Sequence, residues 1–115
     1  MSTVFGKIIR GELPCHKVFE NERILVFKDI APKAPVHLLI VPKKEIVNLQ
    51  AVPIEDLPLV AEMIAVAQQV AKDLGIEDGY RLVANNGSKA GQIVFHLHFH
   101  LLGGWKGSSH KEELE

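Results

Sequence analysis

Three histidines at alternate positions, His96, His98 and His100, interrupt an apolar run that reads FHLHFHLLGG over residues 95–104. Strict alternation is the period of a strand. It predicts that the three imidazoles share one face, while Phe95, Leu97, Phe99 and Leu101 fill the other. Neighbours on one face of a strand lie about 6.6 Å apart. Such a row of rings supports three chemistries. The rings can be structural, each nitrogen satisfied by a buried partner. They can bind zinc, with His37 or Asp29 completing the ligand set, although no HExxH pattern or cysteine pair accompanies them. Or a neutral imidazole can attack phosphorus at pH 7 while its neighbours donate hydrogen bonds to the non-bridging oxygens. Residues 85–92, NNGSKAGQ, lie just upstream and offer backbone N–H groups and an amide side chain to an anion.

The rest of the chain must position these residues. Phe5, Ile8 and Ile9 share a face of a short helix that Gly11 and Pro14 end. Residues 17–20 and 24–28 read as a hairpin across Asn21-Glu22. Residues 29–35 form a loop stiffened by Pro32 and Pro35. Residues 37–41, HLLIV, are apolar on both faces, which predicts a central, covered strand closed by Pro42. Residues 57–74 form the main helix, about 27 Å long. Pro53 and Pro58 fit its start, Glu55 and Asp56 suit the same end of its dipole, and Gly75 stops it. Residues 80–84 are a strand, joined to the histidine strand as a hairpin. The order α-β-β-β-α-β-β predicts an α+β domain with an antiparallel sheet and one long helix on a face.

The long helix carries two apolar stripes. One is Leu57, Val60, Ile64, Ala67, Ala71 and Leu74; the other is Leu59, Met63, Val66 and Val70. A surface helix needs only one. A homodimer with this helix at the interface is therefore expected, the alternative being a helix sunk deep in its own domain.

The chain has 115 residues, is 47% hydrophobic and has a formal net charge of -1. That suits one compact domain with a real core. It provides no basic field for nucleic acid and no polybasic membrane patch. Cys15 is the single cysteine, so an intrachain disulfide is impossible. The N-terminus lacks the pattern of a signal peptide, and no apolar run is long enough to span a bilayer. We expect a soluble, cytoplasmic protein.

The stretch His96-Leu97-His98-Phe99-His100-Leu101-Leu102 matches the histidine triad signature. The chain resembles the Hint branch of the histidine triad family. The resemblance is carried by residues 5–10, by Asp29-Ile30, Pro32, Ala34-Pro35 and His37, by Pro42-Lys43-Lys44, and by Gly91-Gln92 and Leu102-Gly103-Gly104. It implies a five-stranded antiparallel sheet with one long and one short helix, and two protomers joining into an extended sheet. The domain would span residues 1–104, with residues 105–115 as a tail.

The resemblance also implies a hydrolase of purine nucleoside phosphoramidates such as adenosine 5′-monophosphoramidate, using no metal and no cofactor. His98 would attack the α-phosphorus and form a nucleotidyl-histidine intermediate. His100 would bind the phosphate, and His96 and His37 would support the cluster. Asp29 would grip the ribose. Phe5, Ile8, Leu13, Phe27, Ile30 and Leu39 would hold the base, and Asn85 would lie near phosphate and ribose. Gly91, Gln92 and Ile93 would form the phosphate loop. Ile93 stands where some members have serine, so any phosphate contact there must come from its backbone N–H. Cys15, His16 and His110 match no role. A nucleotide-binding adaptor, or another hydrolase or transferase of the same family, is the rival reading.

Overall fold

In the computed structural model, which describes residues 3–107, these patterns become two helices and five strands. They are α1 (Val4–Ile9), β1 (Lys17–Glu20), β2 (Ile24–Lys28), β3 (Val36–Pro42), α2 (Leu57–Asp73), β4 (Tyr80–Val83) and β5 (Phe99–Gly103). The strands form one sheet in the order β1-β2-β3-β5-β4, and every pairing is antiparallel. This is the expected α+β architecture.

β3 takes the central place that its two apolar faces demand. Leu38 and Ile40 face α2, packed with Ile24, Val26, Phe99 and Leu101. Leu39 and Val41 face the other way, packed with Phe5, Leu25 and Phe27 beneath α1. The sheet thus has a core on each side: a larger one under α2 and a smaller one under α1. Thr3 caps α1, accepting a hydrogen bond from the Gly6 N–H at 3.1 Å.

α2 ends one residue earlier than expected. Gly75, at φ +71°, turns the chain so that its N–H reaches Lys72 O and the Ile76 N–H reaches Ala71 O. That pattern satisfies two otherwise orphaned carbonyls. The helix buries Met63, Val66, Ala67, Val70 and Ala71. Leu57, Ile64 and Leu74 of the other stripe stand about half exposed. α2 therefore lies on the surface of its own domain and is not sunk in it. β4 is also one residue shorter than predicted, because its ladder with β5 ends at Val83 opposite His100.

The histidine run is not one continuous strand, contrary to the alternation. Only His100 lies within β5. Continuing the β3–β5 register would set Leu97 against Pro42, which has no N–H to donate. The Leu97 N–H instead donates to Ile46 O at 2.7 Å. The division of faces survives this departure. Leu97, Phe99 and Leu101 join the core under α2, and the His98 and His100 rings meet on the other side of the sheet at 5.0 Å between centroids. Phe95 does not join the apolar face; it is largely outside the core, upstream of the point where pairing stops.

Candidate functional site

A cavity of about 350 Å³ opens on the α1 side of the sheet, and His98 and His100 form part of its wall. Phe5, Ile8, Phe27 and Leu39 supply an apolar wall, and Asp29, the fully exposed Ile30, Asn85, Gly91 and Ile93 complete the rim. α1 supplies Phe5 and Ile8, while β2 and β3 supply Phe27 and Leu39 from one face of the sheet. Phe5 sets its ring edge-on to His98, with centroids 4.9 Å apart.

Two of the expected residues lie elsewhere. Leu13 is not part of the wall and is 37% exposed. The chain turns at Gly11, φ +78°, and brings Pro14 and Cys15 to the cavity in its place. Cys15, which matches no role in the family pattern, is thus a lining residue. Gln92 is buried, and its side chain turns inward to bond protein. Val4, Lys28 and Val94 also line the cavity. Sequence pattern does not single them out, since the turn at Gly11 and the run before β5 decide what faces inward. His16 is exposed, and His110 lies outside the described residues.

The hydrogen bonds assign the ring protons. His98 Nδ1 lies 2.7 Å from His96 O. A carbonyl only accepts, so Nδ1 carries the proton and Nε2 of the neutral ring carries the lone pair. His96 Nε2 likewise donates to Pro42 O at 2.7 Å, leaving a buried Nδ1 with no partner among the described residues. The Lys33 N–H donates to His37 Nδ1 at 3.0 Å. The proton of neutral His37 is then on Nε2, which donates to His100 Nδ1 at 2.9 Å and lies 3.4 Å from Asp29 Oδ2. His100 therefore carries its own proton on Nε2. One backbone amide in the 29–35 loop sets the polarity of a chain that ends on His100.

Charge reinforces this order. Burial lowers His98, more than the bond to His96 O raises it. Burial, with the His98 and His37 rings close by, pushes His100 down to about 4. Burial also lowers His37, against the pull of Asp29. The rings are neutral at pH 7, the state a nucleophilic imidazole requires.

Asp29 has two roles in the geometry. Its Oδ1 accepts the Ala31 N–H at 2.8 Å, which is the turn-capping use of a loop aspartate. Its Oδ2 faces His37. Asp29, His37 and His100 bring one ligand atom each within 4.8 Å of one another, so among the described residues these three could hold a cation. The Lys33 amide opposes it. A metal on His37 Nε2 must displace the proton that this tautomer places there.

In the 87–93 loop, the Gly91 N–H donates to Ser88 O and the Gln92 N–H to Gly87 O. Of the backbone amides of Gly91, Gln92 and Ile93, only that of Ile93 has no hydrogen bond among the described residues.

Comparison with known proteins gives this arrangement a family. The HIT domain family matches residues 10–107. An uncharacterised HIT-like protein of Chlamydia muridarum is 55% identical over 104 residues, 90% of this chain and 82% of that protein. The solved structure of a HIT family hydrolase from Clostridium thermocellum superposes with a TM-score of 0.90 at 47% identity, covering 97% of this chain and 96% of the other. That of a histidine triad protein from Clostridium difficile gives 0.88 at 40% identity, covering 94% and 95%. The family match spans the triad and every strand, and the chain belongs to the HIT domain family.

Proposed function

We propose that this protein hydrolyses purine nucleoside phosphoramidates, such as adenosine 5′-monophosphoramidate, through a covalent nucleotidyl-histidine intermediate. One observation carries the reading: the His98 ring is locked by His96 O with its Nε2 lone pair available, at the wall of a cavity whose other side is apolar. A planar base suits the slot between Phe5, Ile8, Phe27 and Leu39. The Asp29 carboxylate beside it suits ribose hydroxyls, which donate to such an acceptor.

In the first step His98 Nε2 bonds to the α-phosphorus and the P–N bond to the amine breaks, its electron pair leaving with the amine. The His100 Nε2–H donates to a non-bridging oxygen as charge builds. The amine takes a proton from solvent as it departs. In the second step water attacks phosphorus and gives a proton to solvent, the bond to Nε2 breaks, and its electron pair returns to the ring. The product is a nucleoside monophosphate. No step requires a metal or cofactor, and the Ile93 N–H is the backbone donor available to the phosphate.

Rapid acid-free quenching of the protein with adenosine 5′-monophosphoramidate should trap a nucleotide on His98, seen by mass spectrometry of peptides. His98→Ala should abolish that adduct and lower turnover at least ~10³-fold, while AMP still binds. An unmodified ring at every quench time, with normal turnover, would sink the covalent route. Binding without turnover would favour an adaptor role instead.

A further inference from the structure

The buried carboxamide of Gln92 has a place in the site that the phosphate-loop pattern does not assign. Gln92 is 4% exposed. Its Oε1 accepts the Gly87 N–H at 2.7 Å. Its Nε2 donates twice, to Val47 O at 2.8 Å and to Val94 O at 3.0 Å. These bonds join three segments: the glycine loop that begins at Gly87, the stretch after β3, and the run into the histidines. A carboxamide offers two N–H donors and one acceptor oxygen in a plane, and here all of these groups are used.

The segment it holds is the one the sheet does not. Residues 94–98 lie outside β5, so no ladder places His96 and His98. Their anchors are Val94 O on Gln92, the Leu97 N–H on Ile46 O, and the His96 ring on Pro42 O. The Asn86 side chain adds a tie between the same regions by accepting the Gln50 N–H at 2.7 Å. Gln92 is the anchor of Val94 that also grips the glycine loop, at Gly87.

We infer that Gln92 is a positioning residue: its side chain sets the distance between the His98 ring and the Ile93 amide, and it does not touch the nucleotide. The inference rests on the phosphoramidase reading for its kinetic test, though not for its structural one. A misplacement of about 1 Å between nucleophile and cradle costs on the order of 100-fold in rate.

Gln92→Glu keeps the acceptor for Gly87. It replaces the double donor by an oxygen that faces two carbonyls. A carboxylate there is repelled, whereas a carboxylic acid can donate to one of them. The bonded groups around that position are the Gly87 amide and the Val47 and Val94 carbonyls, with no charged side chain bonded to it among the described residues. The titrating rings downstream, His98 and His100, are common to variant and wild type, so activity is read as a ratio at each pH. Gln92→Met fills the same length without any polar group.

At pH 7.5 both variants should lose about 100-fold in kcat, while Kd for AMP rises less than fivefold. The ratio of Gln92→Glu to wild type should recover as pH falls towards 5.5, and that of Gln92→Met should not. Independently of turnover, the ring ¹⁵N signals of His98 in the ligand-free protein should shift in Gln92→Met. Three results would overturn the inference: kcat within threefold of wild type, a loss of AMP affinity as large as the loss of kcat, or His98 ring signals unchanged. If wild type turns over no phosphoramidate, the functional reading fails alone and the ring signals decide the positioning role.

Discussion

His98 and His100 stand 5.0 Å apart and share a need to stay uncharged in the folded protein. Burial is the largest influence on both, and together with the His98 and His37 rings it takes His100 from 6.5 down to about 4. Between those values the unfolded chain binds more protons than the native one. Stability is therefore complete above about pH 6.5 and is lost as pH falls through that window. Urea unfolding at pH 7, 5.5 and 4 should show the midpoint falling with acid, and His100→Asn should flatten that slope. Because burial lowers His98 too, the decline of wild-type kcat with acid should be centred below pH 6.5; a decline centred above 6.5 would contradict the burial. At this scale the grouping of His98, His100 and Asp29 around one cavity was legible in the chain, the histidines from their alternation and Asp29 from the family resemblance. The function of Gln92 was not. Its partner Val47 O lies 45 residues away, and no local pattern reveals what a buried amide will meet. Leu13 misled for a related reason, since one turn at Gly11 decided which neighbour faced the cavity.

Among the elements, the end of β5 and the start of β3 are fitted by a glycine. Gly104 sits at φ +85°, and a Cβ there would lie 3.2 Å from both Pro35 Cβ and Val36 Cγ2. The loop so approached runs from Asp29 to His37, and it holds the amide that orients the ring protons. Gly104→Ala should destabilise by roughly 1–3 kcal/mol, measured by urea unfolding; an unchanged midpoint would mean that the contact relaxes freely. Strand and helix order were readable because periods of 2 and 3.6 are local properties of the chain. The break in the histidine run was not, because it depends on the register that brings Pro42 opposite Leu97. Alternation alone predicts which way side chains point, and that held for Leu97 to Leu101 even where the ladder stops.

For the whole molecule, the outer face of α2 bears on assembly. Leu57, Ile64 and Leu74 present a half-exposed apolar row, and β4 is an edge strand, paired only with β5. We propose a homodimer in which these two features meet their copies and the sheets join. Light scattering should give twice the mass of one chain, and Leu57→Glu combined with Ile64→Glu should halve it while leaving the fold intact. No helix among the described residues is long and apolar enough to cross a membrane.

The two-sided burial of β3 carries one more consequence. Successive residues of that strand answer to separate masters: Leu38 and Ile40 to the helix, Leu39 and Val41 to the ligand side. A change at Leu39 is felt by the cavity wall, and a change at Leu38 or Ile40 by the packing under α2. A single seven-residue ribbon thus serves two compartments with alternate side chains.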